Sequence, residues 1–294
     1  MFNIDGYIDK TLIDVLLNEN CEDLQFVELK KCIMLMNKYK DRIVLDCDLA
    51  AEFYQSIKKS GSVISTRFED LINKGIVSFG EVDFANIYEV VAKDADSLNT
   101  CLLTLDENKD NKNYINDYYT LELVCRKLLK FENQTDFFPM AERCFSNSIF
   151  SDEVEPAMSR VNRQQFDEDK KDYVEHLGCL NDDGIRIWYS NECLNDDFFT
   201  TKFKSETGII NTTEKERKIA NRRYFKFDTE VTENNKTIII KEKIRCEKHT
   251  KIERYGRTSQ RIHFKFLDNE DMKKVLIGYV GNHILKDNKQ YVND

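Results

Sequence analysis

Residues 43–57 read IVLDCDLAAEFYQSI, and the parsing of this stretch decides the fold of the first half of the chain. Ile43, Val44 and Leu45 are consecutive apolar residues, which predicts a short strand buried on both faces. Asp46 ends that run, and Asp48 stands where the cap of a following helix belongs, a helix that runs on to Gly61. The same strand and helix alternation extends to either side. Upstream, Asp23 to Lys38 presents Leu24, Val27, Ile33, Leu35 and Met36 at helical spacing. Downstream, Thr66 and Glu69 have capping-box spacing for a helix over Arg67 to Lys74 that stops at Gly75. Ile76 to Phe79 reads as a second strand, Phe84 to Lys93 as a helix opened by Asp83, and Cys101 to Leu105 as a third strand ending in Asp106. Glu107 to Asp117 reads as a polar loop, and Tyr118 to Lys130 as another helix.

The chain has 294 residues, enough for two domains. Its hydrophobic content of 41% and charged content of 33% are those of a globular protein. No stretch approaches the roughly 20 apolar residues of a bilayer span. The amino terminus MFNIDGYIDK lacks the basic start and apolar core of a signal peptide, so a cytoplasmic location without membrane contact is expected. The nine cysteines are scattered without a C-x-x-C pair, which argues for buried small side chains over disulfides or zinc.

Periodicity changes twice along the chain. Residues 1–125 carry the α/β pattern, 126–220 form a mixed, acidic connecting region, and 221–294 are β-rich: Arg223 to Asp228, Thr237 to Cys246, Arg261 to Leu267 and Lys274 to Val280 predict a small antiparallel sheet. The expected fold class is therefore an α/β domain with a short parallel sheet and flanking helices, followed by an α+β domain.

In an open α/β sheet, residues at the carboxyl ends of the strands converge on one crevice. Asp5 is placed after a first strand, Asp46 after the second, Glu52 one turn into the next helix, Asp83 at a helix start and Asp106 at a strand end. With Asp5, IVLDCDLAAEFYQSI, DFANIYEVV and LLTLD in this order, residues 1–125 resemble a PIN-like nuclease domain. That resemblance implies that Asp5, Asp46, Glu52, Asp83 and Asp106 hold magnesium or manganese for phosphodiester hydrolysis. Gly6 departs from it, standing where the family commonly begins an apolar helix. A helix cap is the plainer role for Asp83.

The net charge of −9 is unevenly spread. Residues 211–265 carry 16 Lys and Arg against 8 Asp and Glu, a local +8 that leaves −17 on the remainder. Arg222, Arg223, Arg245, Lys248, His249, Lys251, Tyr255, Arg257 and Arg261 make this segment a candidate nucleic-acid surface, a solvated strand face being the plainer alternative. Along residues 261–266 the alternation puts Ile262, Phe264 and Phe266 on an inner face and Arg261, His263 and Lys265 on an outer, phosphate-facing row. The strings CEKHTKIERYGRTSQRIHFKF (246–266) and VLIGYVGNHIL (275–285) resemble the carboxy-terminal half of RelE-like interferase toxins. That resemblance implies Lys251, Arg261 and His263 as catalytic side chains, Tyr255 beside them, and an antitoxin or regulatory protein as partner.

Two functions stand side by side: a metal-dependent ribonuclease or toxin-like effector acting on single-stranded RNA, and a module that binds RNA or protein and cleaves nothing. A structural interaction protein is the third. Oligomeric state has no signature in the sequence.

Overall fold

The computed structural model of the chain describes residues 3–8, 28, 31–32, 35–36, 38–39, 41–46, 78–80, 100–103, 114–115, 117–193, 195–213, 223–233, 236–254, 259–268 and 272–284. It is a mixed α/β structure in two units, Met1–Phe131 and Glu132–Asp294. Among the described residues, no helix is long and apolar enough to cross a membrane.

The first unit contains strands β1 (Asp5–Ile8), β2 (Arg42–Asp46), β3 (Ser78–Gly80), β4 (Thr100–Leu103) and β5 (Tyr114–Ile115). They form one sheet in the order β3-β2-β1-β4-β5, every neighbouring pair parallel. The chain thus works outward from β1 to β3 and then returns to the other side of β1, so its direction of travel reverses between β1 and β4. β5 lies within the stretch that the sequence reads as a loop. Helix α1 (Tyr118–Leu129) starts at a capping box: the Asp117 carboxylate accepts from the Thr120 N–H at 2.8 Å, and the Asp117 N–H donates to the Thr120 hydroxyl at 3.1 Å. The core of this unit includes Ile4, Cys32, Met36, Ile43, Cys101, Leu103 and Ile115, with Leu121, Val124 and Cys125 from α1.

Gly6 is buried inside β1, where an added Cβ would lie 2.6 Å from the Met36 methyl. Its small size admits Met36 against the strand. Asp5 opens β1 instead of following it, and Gly6 belongs to that strand, so no helix begins at Gly6.

The second unit draws in most of the stretch that the sequence leaves as a connecting region. Helices α2 (Gln134–Cys144), α3 (Val154–Ser159), α4 (Arg163–Cys179), α5 (Ile185–Trp188) and α6 (Asp196–Thr207) fall within it, and a single π-helical turn, Leu180–Gly184, joins α4 to α5. Asn133, Asn162 and Asn195 cap α2, α4 and α6 by accepting from first-turn N–H groups. A mixed sheet runs in the order β6-β12-β11-β10-β7, with β6 (Ser148–Phe150), β7 (Asn211–Thr213), β10 (Lys248–Ile252), β11 (Gln260–Phe266) and β12 (Val275–Asn282). Only the β6–β12 pair is parallel. Strands β8 (Tyr224–Glu233) and β9 (Lys236–Arg245) form a separate two-stranded antiparallel hairpin.

The mixed sheet is covered on both faces. On one, Phe264 and Phe266 meet Trp188 and Phe199, the Trp188 ring stacking 4.9 Å from Phe266. On the other, Phe225, Phe227 and Ile240 of the hairpin pack with Cys246, Leu276 and Tyr279. β12, at the middle of these layers, is buried from Val275 to Gly281. A bulge interrupts its pairing with β11, since His263 faces Tyr279 while Phe264 faces Ile277, leaving Gly278 as the extra residue. A Cβ at Gly278 would overlap the Phe225 ring and lie 2.8 Å from the Cys246 sulfur, so only glycine lets the hairpin approach this closely.

The cysteines behave as small apolar side chains. Of the seven described, all thiols, Cys32, Cys101, Cys125, Cys144 and Cys246 are buried. Burial pushes the Cys32 and Cys246 thiols up to about 12, the opposite of what a reactive thiolate requires.

Candidate nucleic-acid interface

The register of the second sheet brings basic residues from separate strands into two neighbouring rows on the hairpin face. Cross-strand partners in an antiparallel ladder share a face, and residues two apart along a strand share it as well. His249 of β10 pairs with Thr212 of β7 on one side and His263 of β11 on the other, and His263 pairs with Tyr279 of β12. The first row is thus Thr212, His249, His263 and Tyr279. Two residues along, Lys251 pairs with Arg261, and Arg261 with Gly281, whose lack of a side chain leaves the second row to the two cations.

The first row is sealed. The imidazole centroids of His249 and His263 are 5.0 Å apart, that of His263 lies 5.9 Å from the Tyr279 ring, and Phe225 of the hairpin lies 6.1 Å from His263. His263 is 0% exposed and His249 3%. The expected outer row is corrected here: alternation correctly separates His263 from Ile262 and Phe264, but Phe225 covers the face that was to meet phosphate. His263 therefore has no access to RNA as a catalytic group.

The hydrogen bonds of His249 fix its tautomer. Arg261 Nη1 lies 3.2 Å from His249 Nε2 and can only donate, so Nε2 is an unprotonated acceptor, which makes the Thr212 hydroxyl, at 2.9 Å, a second donor. The proton of the neutral ring then sits on Nδ1. Burial, followed by the Arg261 charge and then Lys251 and Arg223, pushes the His249 imidazole down to about 3, against a smaller opposing effect of the Glu247 carbonyl. Burial holds His263 well below the ordinary histidine range, with Arg223, His249 and Arg261 adding to it and the Cys246 carbonyl opposing. Both rings stay neutral at physiological pH, so His249 acts as a post that holds the Arg261 guanidinium.

The charged groups acting on these two rings, Arg223, Arg261 and Lys251, are all cations. Arg223 is fully buried. Arg261 is partly exposed, and the Lys251 side chain, 31% exposed, forms only a loose 3.9 Å pair with Glu253. Three cations thus lie close to the second row, Arg223 buried beneath it and Arg261 and Lys251 reaching solvent.

The remaining basic candidates divide. Arg223 lies beneath the surface instead of on it. Lys248 points to the helix-covered face, 2.7 Å from the Asp196 carboxylate and 4.8 Å from the Trp188 ring centroid, because it precedes His249 and alternation turns it away. Arg245 pairs with Glu247 at 2.8 Å. Arg222, Tyr255 and Arg257 lie outside the described residues.

In the first unit, the expected carboxylate set does not meet as the sequence suggests. Asp5 opens β1 opposite Arg42 and Thr100, whereas Asp46 closes β2 opposite Gly80. Four residues of strand separate their levels, about 13 Å, and ligands of one ion must approach it within about 2.6 Å. Asp5 therefore belongs to the amino edge of the sheet and Asp46 to the carboxyl edge. The acid that follows the end of β1 in the chain is Asp9, a candidate the sequence reading missed; extending the first strand through Tyr7 and Ile8 would have found it. Glu52, Asp83 and Asp106 lie outside the described residues. Among the described residues, no group of three or more His, Cys, Asp or Glu side chains could hold a metal ion.

Comparison of the chain with protein families, with curated proteins and with solved structures finds no match.

Proposed function

We propose that the chain binds single-stranded RNA, its second unit holding the phosphodiester backbone along the Lys251 and Arg261 row. The observation that carries this reading is the cross-strand pairing of Lys251 with Arg261, whose guanidinium lies 3.2 Å from the neutral His249 imidazole. Arg261 offers a planar fork that suits a phosphate, and Lys251 a point charge beside it. Neutralising phosphates releases counterions, so affinity must fall as salt rises. Titrating the full chain with a single-stranded RNA at several salt concentrations tests this. The double variant Lys251→Ala/Arg261→Ala should flatten the slope of log affinity against log salt by about 1.4, or about 0.7 for each lost contact to a single strand. Binding that is absent, or indifferent to salt, would overturn the reading.

A second reading, metal-dependent cleavage of the bound RNA by the first unit, is favoured by the strand order. In a parallel sheet whose chain path reverses between β1 and β4, the ligand crevice lies outside the carboxyl ends of those strands. Asp46 ends β2 on that side, and Asp9, Glu52, Asp83 and Asp106 are the acids the chain could add to it. Magnesium or manganese held there would supply an activated hydroxide and charge neutralisation.

A further inference from the structure

The second sheet has a cleft that the phosphate-binding reading leaves unused. β7 pairs with β10 only across Lys248 to Thr250, so from Lys251 onward the edge of β10 separates from the chain that precedes β7. The space between them is a cleft of about 530 Å³ bordered by the carboxyl end of α6 and by α4. That volume lies within the range of small-molecule sites and exceeds what one nucleobase requires.

Its walls are of three kinds. Ile210 is 53% exposed beside it, an apolar surface for the flat face of a ring. At Gly208 the chain turns in the left-handed conformation that closes α6, and a Cβ there would meet no atom within 4 Å, so the floor is open. The polar groups are Glu175, Glu253 and His176. His176 Nδ1 lies 3.0 Å from the buried Thr250 hydroxyl, which holds the ring in place, and burial pushes this imidazole down to about 4. Acceptors predominate: two carboxylates face a ligand with a neutral ring between the helix and the strand.

Lys251 borders this cleft and also stands in the cationic row. A nucleotide whose phosphate lies at Lys251 therefore has its base within reach of the cleft. Single-stranded RNA is read by splaying out bases, laying them on flat side-chain surfaces and hydrogen-bonding their edges. Carboxylates accept hydrogen bonds, and guanine is the base whose Watson–Crick edge presents two adjacent donors, N1–H and the N2 amino group.

The geometry points to this cleft as a nucleobase subsite that selects guanine at the nucleotide whose phosphate is held by Lys251. The inference rests on the RNA-binding reading, and its test separates the two. The full chain is titrated calorimetrically with inorganic phosphate and with the 3′-monophosphates of guanosine, adenosine, cytidine and uridine. Guanosine monophosphate should bind about tenfold more tightly than the pyrimidine nucleotides, the value of one hydrogen bond to a charged acceptor. Glu175→Gln/Glu253→Gln, both at exposed positions, should abolish that preference while inorganic phosphate binds at least as well. Ile210→Ser should weaken all four nucleotides together and leave inorganic phosphate unchanged. Equal affinity for the four nucleotides and inorganic phosphate would overturn the base subsite and leave the phosphate reading standing. A guanine preference that survives the double Gln variant would also overturn it. Failure of phosphate and every nucleotide to bind would overturn both.

Discussion

In the parallel sheet of the first unit, all the paired strands run the same way, so their carboxyl ends open on one edge of the sheet, where a ligand crevice gathers its residues. In the second unit, neighbouring antiparallel strands bring distant residues side by side in mid-strand, as with Thr212, His249 and His263. The parallel arrangement suits a site built from acids on loops, open to a cation and a substrate. The antiparallel arrangement suits rows, and rows can be roofed: here the hairpin covers one row and leaves the next open. A single extra or missing residue has different consequences in the two cases. It lengthens a loop in the first and turns a side chain to the opposite face in the second.

The largest effect that would sharpen this contrast is on cleavage. If the carboxyl edge of the first sheet is a metal site, Asp46→Asn and Asp106→Asn should each reduce magnesium- or manganese-dependent RNA hydrolysis by more than about 100-fold, because partners one shell farther from a metal already contribute about 10–100-fold. Asp5→Asn, at the opposite edge, should leave the rate unchanged. Comparable losses for Asp5 and Asp46 in a cleavage assay would break the distinction between the two edges.

Next in size is the packing of the hairpin. Gly278→Ala forces a methyl group into the Phe225 ring and should destabilise the second unit by about 3 kcal/mol, whereas Gly6→Ala meets the flexible ends of the Met36 and Leu103 side chains and should cost about 1 kcal/mol. Urea unfolding of both variants measures the difference, and equal costs would contradict a rigid roof over the second sheet.

Acid should act chiefly on the second unit. His176, His249 and His263 all have folded-state affinities for protons below the ordinary histidine value. The unfolded chain therefore takes up protons that the folded chain refuses, and stability is lost as pH falls from about 6.5 toward about 4 for His176 and on toward about 3 for His249. The loss should reach about 1–2 kcal/mol per imidazole by pH 5. Unfolding at pH 7 and pH 5 checks this, and His263→Gln should make the slope shallower.

The smallest effect is the most selective. Lys248→Ala removes a positive charge next to His249 in the chain, but on the helix-covered face. RNA affinity and its salt slope should stay as they are, with a stability cost of about 0.5–1 kcal/mol from the lost Asp196 pair. A salt slope as flat as that of the Lys251 and Arg261 double variant would show that local charge, rather than the row, governs binding.

Much of each sheet was legible, and the failures have physical causes. Ile43 to Leu45 and the alternation of Ile262, Phe264 and Phe266 gave their strands correctly, because runs and alternation of apolar residues are the direct pattern of a strand. Alternation assigns a residue to a face without saying what covers that face. The cover on His263 is Phe225, 38 positions away in sequence, so its burial left no local mark. Asp5 reads as the residue after a first strand, whereas it opens β1, and Gly6 leaves room inside that strand for Met36. The long helix α4 is rich in charged residues and hides its few buried positions, Phe166, Tyr173, Val174 and Leu177, which is why its stretch resisted placement. Of the candidate interface, Lys251 and Arg261 were legible as basic residues, while the cleft beside them depends on where β7 stops pairing and had no sequence signature.

The parallel pairing of β6 with β12 sets the order of events as the protein is made. Ser148 pairs with Val275, and the Ser151 hydroxyl donates to the Gly278 carbonyl across 127 positions of sequence. The strand that joins β6 to the rest of the second sheet is thus made after β6, α2 to α6 and the hairpin. Until synthesis has passed Asn282, β6 has no partner strand, and the hairpin lacks Leu276 and Tyr279 to pack on. Contacts of such long range slow folding, and surfaces left waiting for them favour association with other chains. At the roughly 5–20 residues per second of synthesis, the wait between β6 and β12 lasts about 6–25 seconds.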